Sequence, residues 1–381
     1  MVFRRQWVGR QEDARRQTVH QEIAMTSNSD TPEHAPQKIL IVQTAFLGDL
    51  ILTLPLIQRL GEALPGSRIT ALVIPSTAEV LLNHPAVSDH LIFDKRARDR
   101  GLRGLLNMAR RLRQERFDLA LVPHRSLRSA LLAALSGIPR RVGFNTSTGF
   151  FLFTDTVMYH RGRHEVQRNL GLLNAIGVRA VERPARVYPG ENHRRQAQAF
   201  LARHEISSRK GLIGVAPGSV WPTKRWLPEG YASVVRHLRE RDGRSVVLFG
   251  GVEDRRLCLQ IAQRAGQGIP VAAGELSVLS AAALMERCRV VISNDSAAAH
   301  LAAAVRCPVV VIFGPTVPEF GFVPLGDDHL VLQADVDCRP CGIHGGKACP
   351  RKTFACMRAI TPEKVLQAVR SILDKNGEWP E

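Results

Sequence analysis

Aromatic side chains are scarce in this chain: three Tyr, four Trp and fourteen Phe make up 6 % of its 381 residues. The Tyr and Trp are not interleaved with the basic runs, so the stacking platform of a single-strand nucleic-acid binder is missing. No apolar run reaches the roughly 20 residues that a bilayer-spanning helix needs. The first residues are polar and lack the apolar segment of a secretory signal, which makes a cytoplasmic protein the expectation. No GxGxxG follows either half's first strand, and no GxxxxGK[ST] occurs anywhere, which weakens dinucleotide and P-loop readings. Acids are the minority charge, 35 against 52 Lys and Arg, for a net charge of +17. Such an excess implies an anionic partner: nucleic acid, a membrane surface or a phosphorylated substrate.

The excess is concentrated. Residues 1–36 hold 5 Arg and 5 acids; residues 37–188 hold 22 Lys and Arg against 11 acids, net +11; residues 189–381 hold 25 against 19, net +6. The length suits two domains of ordinary size, and the apolar fraction of 45 % is that of a globular protein. Residues 1–36 carry no sustained apolar period and run into TSNSDTPEHAPQ, which predicts a disordered tail. Met25 offers a second possible start.

Beyond the tail, strand-length apolar runs alternate with helical patterns. KILIV at 38–42 reads as a buried strand, followed by a helix to about Leu64 that Pro65-Gly66 breaks. Further strands are expected at 69–74, 90–93, 118–122 and 141–144, with helices around 78–83 and after 124. Residues 95–116 form a basic amphipathic helix with Leu102, Leu105, Leu106, Ala109 and Leu112 on one stripe. The stretch 145–165 is irregular, 165–176 looks helical, and 179–190, with Pro184 and Pro189, reads as a linker. The second series has strands at 212–216, 245–249, 271, 290–292 and 309–313, with helices at 194–204, 253–265, 277–287 and 297–305, and ends in a helix from Pro362 to Lys375. This alternation predicts two parallel, doubly wound, Rossmann-like domains, 37–188 and 189–381, facing across a cleft. The last helix is placed to pack back on the first domain.

In open α/β sheets, ligands bind beyond the carboxyl ends of the strands, which singles out loops 44–49, 217–225, 250–254 and 294–300. Asp49 follows Gly48 at a strand-to-helix turn and is a candidate general base, a helix cap being the alternative; the glycine admits close approach of a ligand. Pro217-Gly218-Ser219 offers backbone N–H groups and a hydroxyl, and Lys224 a point charge, to a phosphate. The plainer alternative is a solvated Lys-Arg pair beside a packed Trp226. Glu253, after Gly250-Gly251, can accept both hydroxyls of a ribose or be only a first-turn acid. SNDSAAAHLAAA starts a helix whose unpaired N–H groups favour an anion, with Asp295 and Ser296 at the start and His300 within the first turns. A cap and a core histidine are the alternative there.

Together LGDLILTLPLI, GSVWPTKRW, FGGVEDR, SNDSAAAHLAAA and IFGPT resemble the lipopolysaccharide heptosyltransferases of glycosyltransferase family 9, in that family's order and over roughly residues 38–375. The resemblance implies a GT-B fold, an acceptor-binding first domain and an ADP-heptose-binding second domain. It implies inverting transfer of heptose to the lipopolysaccharide inner core, with the heptosyltransferase II type favoured. Asp49 then corresponds to the base, and Lys224 with Gly218 and Ser219 to the diphosphate site. Glu253 falls at the ribose and Leu276 at adenine; Asp295, Ser296 and His300 fall at the heptose and phosphate end. Gly314, Pro315 and Thr316 would line the same cleft. Val220 stands where some members carry a second hydroxyl. The lipid A/Kdo acceptor is anionic and membrane-anchored. Arg125, Arg128, Arg161 and Arg163, with the 95–116 helix, are therefore expected at its phosphates or at the cytoplasmic face of the inner membrane, unless they are simply solvated. No cofactor is required where Lys224 and a helix start supply the positive charge. The rivals are a family 9 transferase with another nucleotide sugar or acceptor, a GT-B sugar-nucleotide epimerase, and a basic nucleic-acid-binding protein.

Seven cysteines remain to be placed. Cys338, Cys341, Cys349 and Cys356 form C-x2-C-x7-C-x6-C, whose first pair has zinc-ligand spacing. A closed structural zinc site, reduced thiols and disulfides all stay open for these four. Cys258, Cys288 and Cys307, in helical or apolar surroundings, are expected in the core.

Overall fold

The computed structural model describes residues 36–206 and 211–375. The tail expected over 1–36, with Met25, lies outside the described residues but for Pro36. Two parallel sheets organise the rest. The first comprises β1 (Lys38–Val42), β2 (Arg68–Val73), β3 (Asp89–Ile92), β4 (Leu119–Val122), β5 (Arg140–Phe144) and β6 (Asp155–Val157), in the order β3-β2-β1-β4-β5-β6. The second comprises β7 (Leu212–Ala216), β8 (Ser245–Leu248), β9 (Cys288–Asn294), β10 (Val309–Phe313) and β11 (Leu330–Gln333), in the order β11-β10-β9-β7-β8. Ile39 to Val42 and Val309 to Phe313 are buried throughout, as continuous apolar strands covered on both faces must be. The strand order reverses between β1 and β4 and between β7 and β9. Those switch points open crevices at the carboxyl ends of these four strands, and every loop singled out above except 250–254 follows one of them.

The departures from expectation have local causes. The helix after β1 is two helices, Leu47–Ile51 and Leu54–Ala63. Pro55 has no N–H to continue the ladder, and the second helix restarts on the Thr53 carbonyl. The basic helix starts at Gly101 rather than at residue 95, because Asp94 and Asp99 close a turn first: the Asp94 N–H donates to Asp99 Oδ2 at 2.8 Å. Leu102 on its expected apolar stripe is 68 % exposed. The turn near 78–83 is a 3-10 helix, Pro75–Leu81, and the helix from Glu165 becomes 3-10 at Leu172. β6 and β11 were not expected; both are short, half-exposed edge strands with little apolar signal. Val271 makes a single bridge to Leu248 rather than a strand.

The last helix, Pro362–Lys375, corrects the expectation that it returns to the first domain. Its buried Val365, Val369, Ile372 and Leu373 join the core beside the second sheet, against helix Pro228–Glu240. Other contacts tie the halves together. Glu79, in the first half, accepts from the N–H groups of Val278 (2.9 Å) and Leu279 (3.0 Å) and from the Ser277 hydroxyl. A first-half carboxylate thus caps the second-half helix Val278–Met285. One buried apolar cluster runs through both halves, from Ile39 and Leu50 to Ala299 and Val309. Among the described residues no helix is long and apolar enough to cross a membrane.

Candidate active site

The helix carrying Asp49 lies directly on helix Ala297–Ala304 of the second half. Gly48 is the contact: a Cβ built there would lie 3.4 Å from the His300 ring and 3.7 Å from Ala297 Cα. The glycine expected to admit a ligand is thus used against protein, at ordinary van der Waals distance. Asp49, half-buried beside it, accepts from the Phe46 N–H at 3.1 Å through Oδ2. It therefore does cap its helix. Burial, and then the charge of Glu165, raise its pKa from 3.8 to about 6, against the opposing pull of backbone N–H groups and Lys224.

Opposite stands a cationic loop fixed from beneath. Trp226 is buried; its backbone N–H donates to Asn294 Oδ1 (2.9 Å), and its indole N–H is shared between the carbonyls of Met357 (3.1 Å) and Ile360 (3.0 Å). Asn294 is itself held by the Tyr231 hydroxyl (2.9 Å) and donates to the Pro217 carbonyl (2.8 Å). This network locks loop 217–226 to the end of β9, and Lys224 is consequently not a solvated lysine. Its ammonium donates to Asp295 Oδ2 at 2.6 Å with side-chain exposures of 12 % and 7 %. Thr316 donates to the same oxygen at 2.7 Å. Ser296 begins helix Ala297–Ala304 without capping it through its side chain. Burial holds His300 down at about 4, although Asp295 pulls the other way, so its imidazole is neutral at pH 7.

Other expected residues fall less directly. Ser219 is buried, with its carbonyl accepting from Arg225 Nε (2.9 Å), and Val220 is 64 % exposed. Glu253 is exposed; its neighbour Asp254 is the residue that shapes the loop. A Cβ at Gly218 would fall 2.3 Å from the Asp254 carboxyl, and one at Gly250 would fall 2.6 Å from Asp254 Cβ. Only glycine fits at both positions, which is what the FGG and PGS signals encode. Leu276 is half-buried against the apolar cluster that runs through both halves. Gly314 and Pro315 do not line an open wall: a Cβ at Gly314 would strike the Met357 thioether at 2.3 Å, and the Pro315 carbonyl accepts from the Cys341 N–H at 2.8 Å.

On the first half, Arg125 lies over the Tyr159 ring at 4.0 Å and Arg128 is half-buried, whereas Arg161 and Arg163 are exposed. Sequence reasoning missed Lys95, whose ammonium donates to the Thr44 carbonyl at 2.6 Å, and His124, which shares hydrogen bonds with Thr44 (3.0 Å) and Ser129 (2.9 Å). Burial and the charges of Lys95 and Arg125 push His124 down to about 4. It also missed Glu165, which receives Arg168 Nε (2.7 Å) and the Tyr159 hydroxyl (3.1 Å). These residues are scattered in sequence and meet only because the topology puts their strand ends together.

The four late cysteines cross this site as a strap. Gly346 exchanges hydrogen bonds with Thr223, and a Cβ at Gly345 would touch the Lys224 stem at 3.1 Å. His344 beside them feels the charges of Lys224, Arg125, Asp295 and Glu165. The sulfurs differ in setting: Cys341 is exposed and Cys356 buried, and all seven cysteines are free thiols. Among the described residues no group of three or more His, Cys, Asp or Glu is placed to hold a metal ion. Cys258, Cys288 and Cys307 are buried in the core, and burial pushes their thiols up, Cys258 and Cys307 to about 12.

Two Rossmann-like halves, joined so that Asp49 on one lies within reach of the Lys224 charge on the other, give the chain the GT-B architecture of a glycosyltransferase. The model of glycosyltransferase family 9 (heptosyltransferase) matches residues 105–347, and the chain belongs to that family. It is 27 % identical over 360 residues to lipopolysaccharide heptosyltransferase 2 of Salmonella typhimurium, covering 89 % of this chain and 99 % of the relative. Among solved structures it is similar to a family 9 glycosyl transferase from Veillonella parvula, with a TM-score of 0.81, 27 % identity and 89 % and 98 % of the two chains covered. It shares its fold with Escherichia coli ADP-heptose lipopolysaccharide heptosyltransferase II, with a TM-score of 0.74, 24 % identity and 89 % and 99 % coverage.

Proposed function

We propose that this enzyme moves heptose from ADP-L-glycero-β-D-manno-heptose to the lipopolysaccharide inner core with inversion, acting as a heptosyltransferase of the second type. The observation that carries this reading is Asp49 on one half within reach of the charge of Lys224 on the other, where Asp295 holds that lysine. An inverting displacement needs a base on the acceptor side and positive charge at the leaving diphosphate. Asp49 takes the proton of an acceptor hydroxyl as that oxygen attacks the anomeric carbon. The bond from the anomeric carbon to the diphosphate oxygen breaks, and ADP leaves with the electron pair. Lys224 and the start of helix Ala297–Ala304 meet its charge, with Gly218 and Ser219 alongside. Lys224 then shares its ammonium between the diphosphate and Asp295, which Thr316 keeps in place. Glu253 serves the ribose and Leu276 the adenine. Lys95, Arg125 and Arg128 face the anionic groups of a Kdo- and lipid A-bearing acceptor at the cytoplasmic face of the inner membrane.

The test supplies ADP-heptose with either Kdo-lipid A or heptosyl-Kdo-lipid A and weighs the products by mass spectrometry. One heptose added to the heptosylated acceptor, with ADP released only when acceptor is present, is expected. Addition to the unheptosylated acceptor alone would overturn the second-type assignment. ADP release without any acceptor would favour an epimerase or hydrolase.

A further inference from the structure

One flank of the first half keeps large apolar side chains in water. Helix Leu127–Leu135 turns Ala130, Leu132 and Ala133 into the core, yet Leu127 and Leu135 at its ends remain 39 % and 37 % exposed. Next to it, Phe150 and Phe151 are 51 % and 67 % exposed, their rings edge to face with centroids 5.9 Å apart. Helix and turn form one surface: a Cβ at Gly149 would lie 2.6 Å from the Ala130 methyl and 3.1 Å from Leu127. A single exposed apolar residue needs no explanation, but a contiguous set does.

The border of this ridge is basic. Helix Gly101–Glu115 packs alongside, exposes Arg110, Arg111 and Arg113, and contains one acid, Glu115. Arg113 Nη2 donates to the Leu135 carbonyl at 2.8 Å, which fixes the basic helix to the ridge's end. None of the three arginines has a carboxylate partner among the described residues. Projecting aromatic rings at the Leu127 end of this helix, with guanidinium groups that lack carboxylate partners towards its Leu135 end, match a bilayer with an anionic surface: rings enter the headgroup–acyl boundary while arginines meet lipid phosphates. A second copy of the chain fits poorly, since a symmetric contact here would bring two arginine-rich helices together.

We infer that helix Leu127–Leu135 and the Phe150–Phe151 turn form the face that docks on an anionic bilayer. The helix starts beside Arg125, at the carboxyl end of β4, so the docked face borders the acceptor side of the site. Under the function proposed above, that would bring the site to a lipid-anchored acceptor; the docking itself needs no substrate.

The full-length protein is sedimented with phosphatidylcholine vesicles, with and without phosphatidylglycerol, in the absence of nucleotide and acceptor. Binding to phosphatidylglycerol vesicles, weakened by salt, is expected. The double change Phe150→Ser/Phe151→Ser should lower the vesicle partition coefficient at least about tenfold with Tm unchanged, and Arg110→Glu/Arg111→Glu should do the same. A wild-type protein that ignores anionic vesicles, or a serine variant that binds them as tightly, would overturn the inference. So would a wild-type dimer that the serine variant converts to monomer, because the face would then be covered by a second copy. Transfer to a water-soluble core oligosaccharide should be unchanged in the serine variant. Its absence in the wild type would count against the proposed function and leave the docking face untouched.

Discussion

The two sides of the site carry positive charge in different ways. On the second half, Lys224 is nearly buried and already matched, 2.6 Å from Asp295, with Thr316 completing that carboxylate. On the first half, Lys95, Arg125 and Arg128 have no carboxylate partner among the described residues; Lys95 rests on a carbonyl and Arg125 on an aromatic face. A matched cation can be aimed, because its partner holds it in one place while the ligand arrives and leaves. Unmatched cations hold one another at a cost: Lys95 has its pKa lowered by burial and by the charges of Arg96 and Arg128. That cost is relieved only when an anion arrives. Under the proposed function, the second half would position one diphosphate, whereas the first half would attract something more highly charged.

Between the two sides stands Asp49, and removing its charge should have the largest effect. Asp49→Asn is expected to lower kcat roughly 10^3-fold while leaving ADP affinity intact, measured by steady-state kinetics and calorimetry. The same change should stabilise the fold. Asp49 titrates at about 6 when folded and near 3.8 when unfolded, so its ionisation opposes folding above pH 6 and has no effect below pH 3.8. A rise in Tm at pH 8, on the order of 1–3 kcal/mol in stability, should vanish as the pH falls towards 4. An Asn variant that keeps its turnover would remove Asp49 from the role of base.

The matched and unmatched cations can be separated next. Lys224→Ala leaves Asp295 buried with only Thr316, and should cost about 3 kcal/mol in thermal or urea unfolding. It should also weaken ADP binding about tenfold or more. Adding Asp295→Asn should restore part of the stability and none of the binding. Arg128→Ala should leave stability within about 0.5 kcal/mol of the wild type and raise the acceptor KM alone. Equal stability losses at Lys224 and Arg128 would erase the contrast drawn above.

How much of this was legible in sequence depends on whether a residue's partner was local. The buried strands β1, β7, β9 and β10 announce themselves as apolar runs, and the loops that follow them held Asp49, Lys224 and Asp295. Edge strands β6 and β11 did not, because half-exposed strands of three and four residues carry no sustained pattern. Glycines were noticed without their reasons: Gly218 and Gly250 make room for Asp254, and Gly314 for Met357, all through contacts that no local motif records. Lys95, His124 and Glu165 were passed over because each looks like an ordinary surface charge until the strand order brings it to the shared edge.

Glu165 offers the finest test, since it acts on the site only through its field. It sits among Tyr159, Arg168 and the domain contacts at Gly321, and its charge is the second cause, after burial, of Asp49's raised pKa. Glu165→Gln keeps the shape and an oxygen for the Tyr159 hydroxyl but removes the charge. It also leaves the Arg168 guanidinium, 2.7 Å away, uncompensated. Both changes favour ionised Asp49, so both lower its pKa. The acid limb of kcat/KM, expected near pH 6 in the wild type, should therefore move to lower pH, with the plateau rate little changed because Glu165 does not touch the reacting atoms. A limb that stays at pH 6 in the variant would mean that burial alone tunes Asp49. A limb that moves up has the wrong sign for the loss of a nearby negative charge and would remove Glu165's field from the account of Asp49.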